Sequence, residues 1–314
     1  MRCRGKNNTT IKNELDLIII GAIGIDTNVY IQGNEIDFSV ESNYTENIDY
    51  IGQAGGYASR GLAQLGYNVG LIDYIGDDYS GNYIKSELEK DGIEAMLFID
   101  PLGTRRSINF MNKDGTRKNF YDGKSHMELV PDLEKCNSFL SKTNNSHFNL
   151  MNWSRYLLPL AKELEICVSC DLQDIRNINA TYTQDFINHA DVLFFSSVNF
   201  NDPTPIIKHL LRKIPDIIII VGRGNKGCAI GYKNKISYFP PVDIIESPII
   251  DTNGAGDGLA IGFLSSYFIE GYTIEDSIQR GQIVARYTCG IKGSTSNLIT
   301  MSQLNHYYKL LMKT

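Results

Sequence analysis

A chain of 314 residues, 42% hydrophobic and 21% charged, has ordinary globular composition and a length normal for one α/β enzyme domain. A net charge of −6 argues against a nucleic-acid or anionic-membrane partner. The apolar run 17–25 is too short and glycine-broken to cross a bilayer, and the polar segment 1–14 reads as a flexible tail of a cytoplasmic protein.

In chain order, residues 15–20 read as a buried strand. The loop Gly21-Ala22-Ile23-Gly24-Ile25-Asp26 follows it, where ligands sit in open α/β sheets. Asp26 can accept from two hydroxyl donors, or simply cap a turn. Residues 30–50 alternate apolar and polar without a helix. The run from Gly52 leads into a helix over 56–65 ended by Gly66. A strand over 69–74 and a helix capped by Ser80 follow. Residues 97–121 alternate again, with Lys113-Asp114-Gly115 as a hairpin turn. The two alternating stretches predict a small sheet standing off the main domain, or an edge extension of the main sheet. Strands at 166–170, 191–195 and 216–221, with a helix opened by Pro203, complete an alternation that predicts a mostly parallel sheet covered on both faces.

Cys167 and Cys170 have the C-x-x-C spacing of metal or redox sites, but no second Cys or His pair matches it and the histidines have no metal-like spacing, so no protein-held metal is expected. Cys167 and Cys170 share a strand and read as free thiols. Trp153 reads as core. Gly222-Arg223-Gly224-Asn225-Lys226-Gly227 has dinucleotide-fingerprint spacing, but a hairpin rather than a helix follows, which argues against that reading.

The most informative stretch is Asp251-Thr252-Asn253-Gly254-Ala255-Gly256-Asp257, ahead of a long helical pattern. Three small residues at a helix start leave backbone N–H groups uncovered, and the helix dipole adds positive potential for an anion. Asp257 closes that turn. An anion cradle beside a carboxylate suits phosphoryl transfer, although an isolated turn of this kind also serves as an ordinary helix cap.

This stretch resembles the second signature of the ribokinase-like (PfkB-type) carbohydrate kinases, DTxGAGD, with Gly258-Leu259 where Ala-Phe is usual. The resemblance runs over about 15–296. It implies a doubly wound, mostly parallel α/β domain over 15–314, with a β-sheet lid from about 30–50 and 97–121. It implies Asp257 as catalytic base and Gly254, Ala255 and Gly256 as anion hole. Asp26 matches the Asp that holds two sugar hydroxyls. Residues 52–66 resemble the first signature, with Gln53 in place of its second Gly and Tyr57 in place of its sugar-contacting Asn; a shift onto Gly55-Gly56 would restore the pair. Gly52, Gln53 and Tyr57 are therefore the substrate candidates beside Asp26, and the ring of Tyr57 predicts a ligand larger than ribose. Gly224, Gly227 and Asn297 are the ATP candidates. Ser196 and Asn199 stand where the family has N-x-x-E, so magnesium is expected to be carried by the nucleotide. The implied activity is ATP-dependent phosphorylation of a primary hydroxyl of a sugar or sugar-like substrate. A nucleoside kinase and a non-catalytic sugar- or nucleotide-binding regulator are the alternatives. The expected partners are a small sugar or nucleoside and a second copy through the lid sheet.

Overall fold

The computed structural model describes residues 14–32, 36–113, 115–175 and 177–313. The first half contains β1 (Leu17–Ile20), β2 (Gly24–Ile31), β3 (Thr45–Gly52), α1 (Gln53–Gln64), β4 (Val69–Ile75), α2 (Tyr79–Lys90), β5 (Glu94–Ile99), β6 (Arg106–Met111) and β7 (Arg117–Asp122). Then come α3 (Leu133–Leu140), β8 (Asn145–Asn149), α4 (Leu157–Glu163), β9 (Cys167–Asp171), α5 (Thr181–His189), β10 (Val192–Ser196) and α6 (Thr204–Lys213). The chain continues through β11 (Ile218–Gly222), β12 (Cys228–Tyr232), β13 (Lys235–Phe239), α7 (Ala255–Leu264), α8 (Ile274–Thr288) and α9 (Met301–Leu311).

Continuous apolar runs such as Leu17-Ile18-Ile19-Ile20 are buried on both faces, as parallel strands under two helical layers must be. The large sheet has the order β13-β12-β11-β10-β9-β8-β1-β4-β5. It is parallel from β11 to β5, and β12 and β13 add an antiparallel edge. One core lies under α1, α2, α7 and α8, the other under α3 to α6. Successive strands run outward in opposite directions from β1 and β8. The crevice at their carboxyl ends is therefore the place where this topology leaves room for a ligand.

A separate four-stranded sheet, β3-β2-β6-β7, stands over that crevice. Its period-2 alternation is real: Asp26, Asn28, Ser107, Asn109 and Met111 are buried on one face, and Ile108 and Phe120 are exposed on the other. Three boundaries differ from the sequence reading. Residues 97–99 complete β5, whose ladder to β4 draws them into the large sheet, so the small sheet resumes only at Arg106. It also begins before residue 30, at Gly24, because β2 pairs with β3 over its whole length. The cap of α2 is Asp78, which accepts from the N–H of Gly81 at 2.7 Å, rather than Ser80. The predicted tail over 1–14, apart from Glu14, and the turn residue Asp114 lie outside the described residues.

Candidate active site

The turn before α7 is built by its glycines. Gly254 sits at φ +74°, and a Cβ there would lie 2.7 Å from Ser294 Cβ and 2.9 Å from the ring of Tyr57. Only glycine fits both the backbone and the space. Gly256 is the opposite case: it is exposed and a Cβ there would meet nothing within 4 Å. Its bareness keeps the first N–H groups of α7 open rather than relieving a clash. Asp257 follows in the first helical turn, half-buried. Burial pushes its carboxyl up to about 7; Asp171 and Asp26 add to this and Arg117 opposes it.

The turn is tied to the small sheet. Thr252 donates its N–H and its hydroxyl to Gly115 O at 3.1 and 2.7 Å, docking the β6–β7 hairpin onto the turn. Asp251 is fully buried and accepts from Asn28 Nδ2 at 2.6 Å, Tyr30 Oη at 3.0 Å and the N–H of Asn253 at 2.8 Å. Asn109 and Tyr50 donate to Asn28 Oδ1 at 2.9 and 3.2 Å. Asn28, Tyr30, Tyr50 and Asn109 of this network were not singled out from the sequence. The signal was there, since Asp26, Asn28 and Tyr30 at i, i+2 and i+4 must share one face of β2.

Asp26 lies under that sheet with 8% exposure. Burial raises its carboxyl to about 6, against the Gln53 N–H, which donates to Oδ2 at 3.2 Å, and the charge of Arg117. Its Oδ1 makes no hydrogen bond of ordinary geometry, although the hydroxyls of Ser107 and Tyr50 lie close enough to lower its pKa, and neither amide atom of Gln53 has a partner. Gly52 is obligatory here, since a Cβ would lie 2.4 Å from Asp26 Oδ2. Gln53 occupies φ +60°, a region that favours glycine, so its side chain is present at a backbone cost. Gly55 and Gly56 have a different job. Their N–H groups donate to Ala22 O at 2.6 and 3.1 Å, and a Cβ on Gly55 would strike Gly21 O at 1.9 Å. The in-register reading, with Gly52 and Gln53 beside Asp26, is the one this geometry matches.

Tyr57 does not face the crevice. It is 1% exposed, its ring backs onto Gly254, and its hydroxyl shares a 2.5 Å hydrogen bond with Thr288 Oγ1. The expectation that its ring meets substrate is corrected. One helical turn beyond Gln53, about 6 Å along α1, the side chain packs behind Gly254 instead of facing the crevice.

Gly224 and Gly227 lie in the turn between β11 and β12. Gly222, which opens this turn, approaches Leu259 of α7, placing the segment beside the helix that carries Asp257. Gly227 is required for chain geometry, at φ +78° with a Cβ position 2.1 Å from Phe239 O; Gly224, at φ +56°, faces open space. The antiparallel β12–β13 hairpin replaces the helix a dinucleotide fold needs. Asn297 is exposed, in a segment whose Gly293 N–H donates to Asp251 Oδ2 at 3.3 Å and whose Ser294 abuts Gly254. Asn199 donates its amide to Asp174 O at 2.8 Å, and among the described residues no three acidic, histidine or cysteine side chains gather as a metal cage. Asp171, which the sequence places near a strand end without a role, lies at the end of β9 and is a neighbour of Asp257. Burial raises it to about 6, and its charge in turn raises Asp257. Cys170 is a buried free thiol, whereas Cys167 is not free, which corrects the expectation for that residue. Trp153 is fully buried, yet its indole N–H has no partner.

The arrangement holds an anion-receptive helix start, a carboxylate titrating near neutrality and a second carboxylate with an open acceptor oxygen, all beneath a polar sheet face. An acarbose 7(IV)-phosphotransferase from Actinoplanes sp. is 23% identical over 92% of this chain and 97% of its own. A nucleoside kinase from Methanocaldococcus jannaschii is 25% identical over 81% of this chain and 84% of its own. The solved structure of a microbiome-derived acarbose kinase superposes with a TM-score of 0.87 at 26% identity, covering 94% of this chain and 99% of that one. The family described as pfkB family carbohydrate kinase matches residues 17–301, and the chain belongs to it: a carbohydrate kinase on a ribokinase-like fold.

Proposed function

We propose that this kinase uses ATP to phosphorylate a primary hydroxyl of a sugar or sugar-like substrate. In this reading Asp26 and the Gln53 amide hold the acceptor, with Gly52 leaving them room. Asp257 removes the proton of the reacting hydroxyl, whose oxygen attacks the γ-phosphorus in line. The N–H groups of Gly254, Ala255 and Gly256 receive the phosphoryl oxygens. The observation that carries the reading is the pairing of a carboxyl near 7 with a helix start left bare by Gly256. Arg117 adds positive charge from the small sheet, lowering Asp26, Asp251 and Asp257 alike. Gly224, Gly227 and Asn297 border the proposed nucleotide side. Magnesium would come with the nucleotide, since it prefers phosphate and water oxygens with few protein ligands. The polar sheet, docked through Gly115, would exclude water from the transfer.

Relatives named for acarbose and for nucleosides leave sugar kinase and nucleoside kinase as the two substrate readings. The polar face of β2 and β6 favours a hydroxyl-rich acceptor. A non-catalytic regulator is the third reading, and the raised Asp257 carboxyl speaks against it. Exposed Ile108 and Phe120 on the outer face of the small sheet support a homodimer through that face. No helix among the described residues is long and apolar enough to cross a membrane; a cytoplasmic setting, where ATP is supplied, belongs to the same proposal. ATP turnover measured with ribose, glucose, maltose, cytidine and adenosine tests the reading. Acceptor-dependent ADP release supports it, and an acceptor-independent or null result counts against it.

A further inference from the structure

Away from the crevice, the chain builds a recess along the β13 edge of the large sheet. Gly231 on β12 sets it up. A Cβ there would lie 2.3 Å from Ile207 Cγ2, so its absence lets α6 settle directly over β12. Ile236 pairs with Gly231 across the hairpin and faces the same side, as does Tyr238 two residues on. α6 buries Ile207, Leu210 and Leu211. Thr204, Lys208 and Arg212, at i, i+4 and i+8, then form a stripe about 12 Å long on its flank. Between that stripe and β13 lies a cavity of about 570 Å³, lined by those three residues together with Asn234, Ile236 and Tyr238. Its volume is that of a small-ligand site. No residue of the Asp26–Asp257 crevice lines it.

We propose that this recess binds a small phosphomonoester that carries a ring, at a site separate from the acceptor and nucleotide sites. Charge fixes the headgroup. Lys208 and Arg212 are exposed, repel each other across one helical turn, and make no ion pair among the described residues. Arg223 stands at one end of the recess, its guanidinium 4.6 Å from the centre of the Tyr238 ring. Against these three cations stands Asp202. Its carboxylate accepts from the hydroxyl and the N–H of Thr204 at 2.6 and 2.9 Å, and those bonds, with the charges of Arg223 and Lys208, hold it below the usual carboxylate range. Three cations against one carboxylate leave two positive charges, in a protein whose net charge is −6. A phosphomonoester carries about that much negative charge at neutral pH. A triphosphate brings more than the recess balances. Arg212 offers a planar fork for two phosphate oxygens, and Lys208 a point charge. The walls fix the rest of the ligand. The Tyr238 hydroxyl shares a 2.5 Å hydrogen bond with Thr204, yet the residue is 47% exposed, so a ring held in place presents apolar surface to the cavity. Ile236 and Leu211 continue that wall. Phosphorylated sugars, the products of the proposed reaction, belong to this ligand class. Arg223 lies in the turn that borders the proposed nucleotide side, so an occupied recess sits one ring away from it. The recess itself does not depend on the kinase reading.

The test is calorimetric titration of the whole protein with phenyl phosphate, inorganic phosphate and phthalate. Phenyl phosphate should bind more tightly than the other two, which lack the ring or carry carboxylates in place of the phosphate. Lys208→Gln and Arg212→Gln should each weaken it by roughly 3- to 10-fold, the worth of one hydrogen bond. Both side chains are exposed, so the two variants should keep the wild-type unfolding temperature and rate of ATP turnover. Tyr238→Leu should remove the preference over inorganic phosphate. Gly256→Val, which covers the helix start of α7, should bind phenyl phosphate as the wild type does. The proposal is overturned if phenyl phosphate does not bind, if both charge variants bind it like the wild type, if Tyr238→Leu keeps the preference, or if phthalate is preferred. It is overturned equally if Gly256→Val abolishes binding, because the anion then sits at the start of α7. Wild-type ATP turnover, measured alongside, separates the two readings. Turnover without phenyl phosphate binding overturns only the recess, whereas recess binding in a protein without turnover overturns only the kinase reading.

Discussion

Replacing Asp257 by Asn should change activity and stability in opposite directions. The carboxyl is raised from its ordinary 3.8 to about 7, mainly by burial. A group whose folded pKa is raised contributes stability that is fully present below the unfolded value, near 4, and lost as pH rises through 7. At pH 8 the ionised side chain therefore destabilises the fold, by at most about 4 kcal/mol at about 1.4 kcal/mol per pKa unit. The side chain is half-buried, so solvent screening reduces this to about 1–2 kcal/mol. Asn has the same shape and no charge to desolvate. The variant should gain about 1–2 kcal/mol at pH 8 and almost nothing at pH 4, while kcat falls by roughly 10²–10⁴-fold. The assay is urea unfolding of both proteins at pH 4 and pH 8, paired with ADP release at pH 8. If Asp257 were only a first-turn helix residue, its loss would cost about 0.3–1 kcal/mol of dipole interaction and spare catalysis. A variant that is less stable at pH 8 and still active refutes the argument.

Four further outcomes follow from the same geometry. The acid limb of kcat/KM should fall near pH 7, and Asp171→Asn should move it to lower pH by removing the neighbouring charge that raises Asp257; an unmoved limb means the two carboxylates do not interact. Gly256→Val should fold, since a side chain there meets only open space, yet lose ATP affinity and turnover by covering the helix-start N–H groups; full activity would make the turn a plain cap. Gly254→Ala should instead destabilise the protein, by φ strain and by collision with Ser294 and Tyr57, and a wild-type unfolding curve would contradict that. Tyr57→Phe should cost about 1 kcal/mol through the lost bond to Thr288 and leave the order of acceptor preference unchanged; a reordered preference would return Tyr57 to the substrate pocket.

What the sequence made legible was contiguous. The Asp251–Asp257 turn could be read because the chemistry proposed for it lies in seven adjacent residues. The small sheet could be read because period-2 alternation fixes two faces before any partner strand is known. Tyr57 was misplaced because a position in a helix motif names a residue without saying what backs onto it; Gly254 and Thr288 lie about 200 residues away or more in the chain. Arg105 was silent for the same reason. Its partner Asp73 lies 32 residues earlier, on β4, and nothing local distinguishes a buried, paired arginine from a solvated one. Trp153 read as core and is core, but only its surroundings reveal the unmatched N–H.

The central claim is that Asp257 activates a hydroxyl of a sugar for attack on ATP. It is tested most directly by the initial rate of ADP formation with magnesium-ATP across the acceptor panel, wild type beside Asp257→Asn, with the phosphorylated product isolated. The account predicts sugar-dependent ADP release, a phosphate ester on a primary hydroxyl, and loss of about 10²-fold or more in the variant. Equal rates in the two proteins, or ADP release that ignores the acceptor, would contradict it.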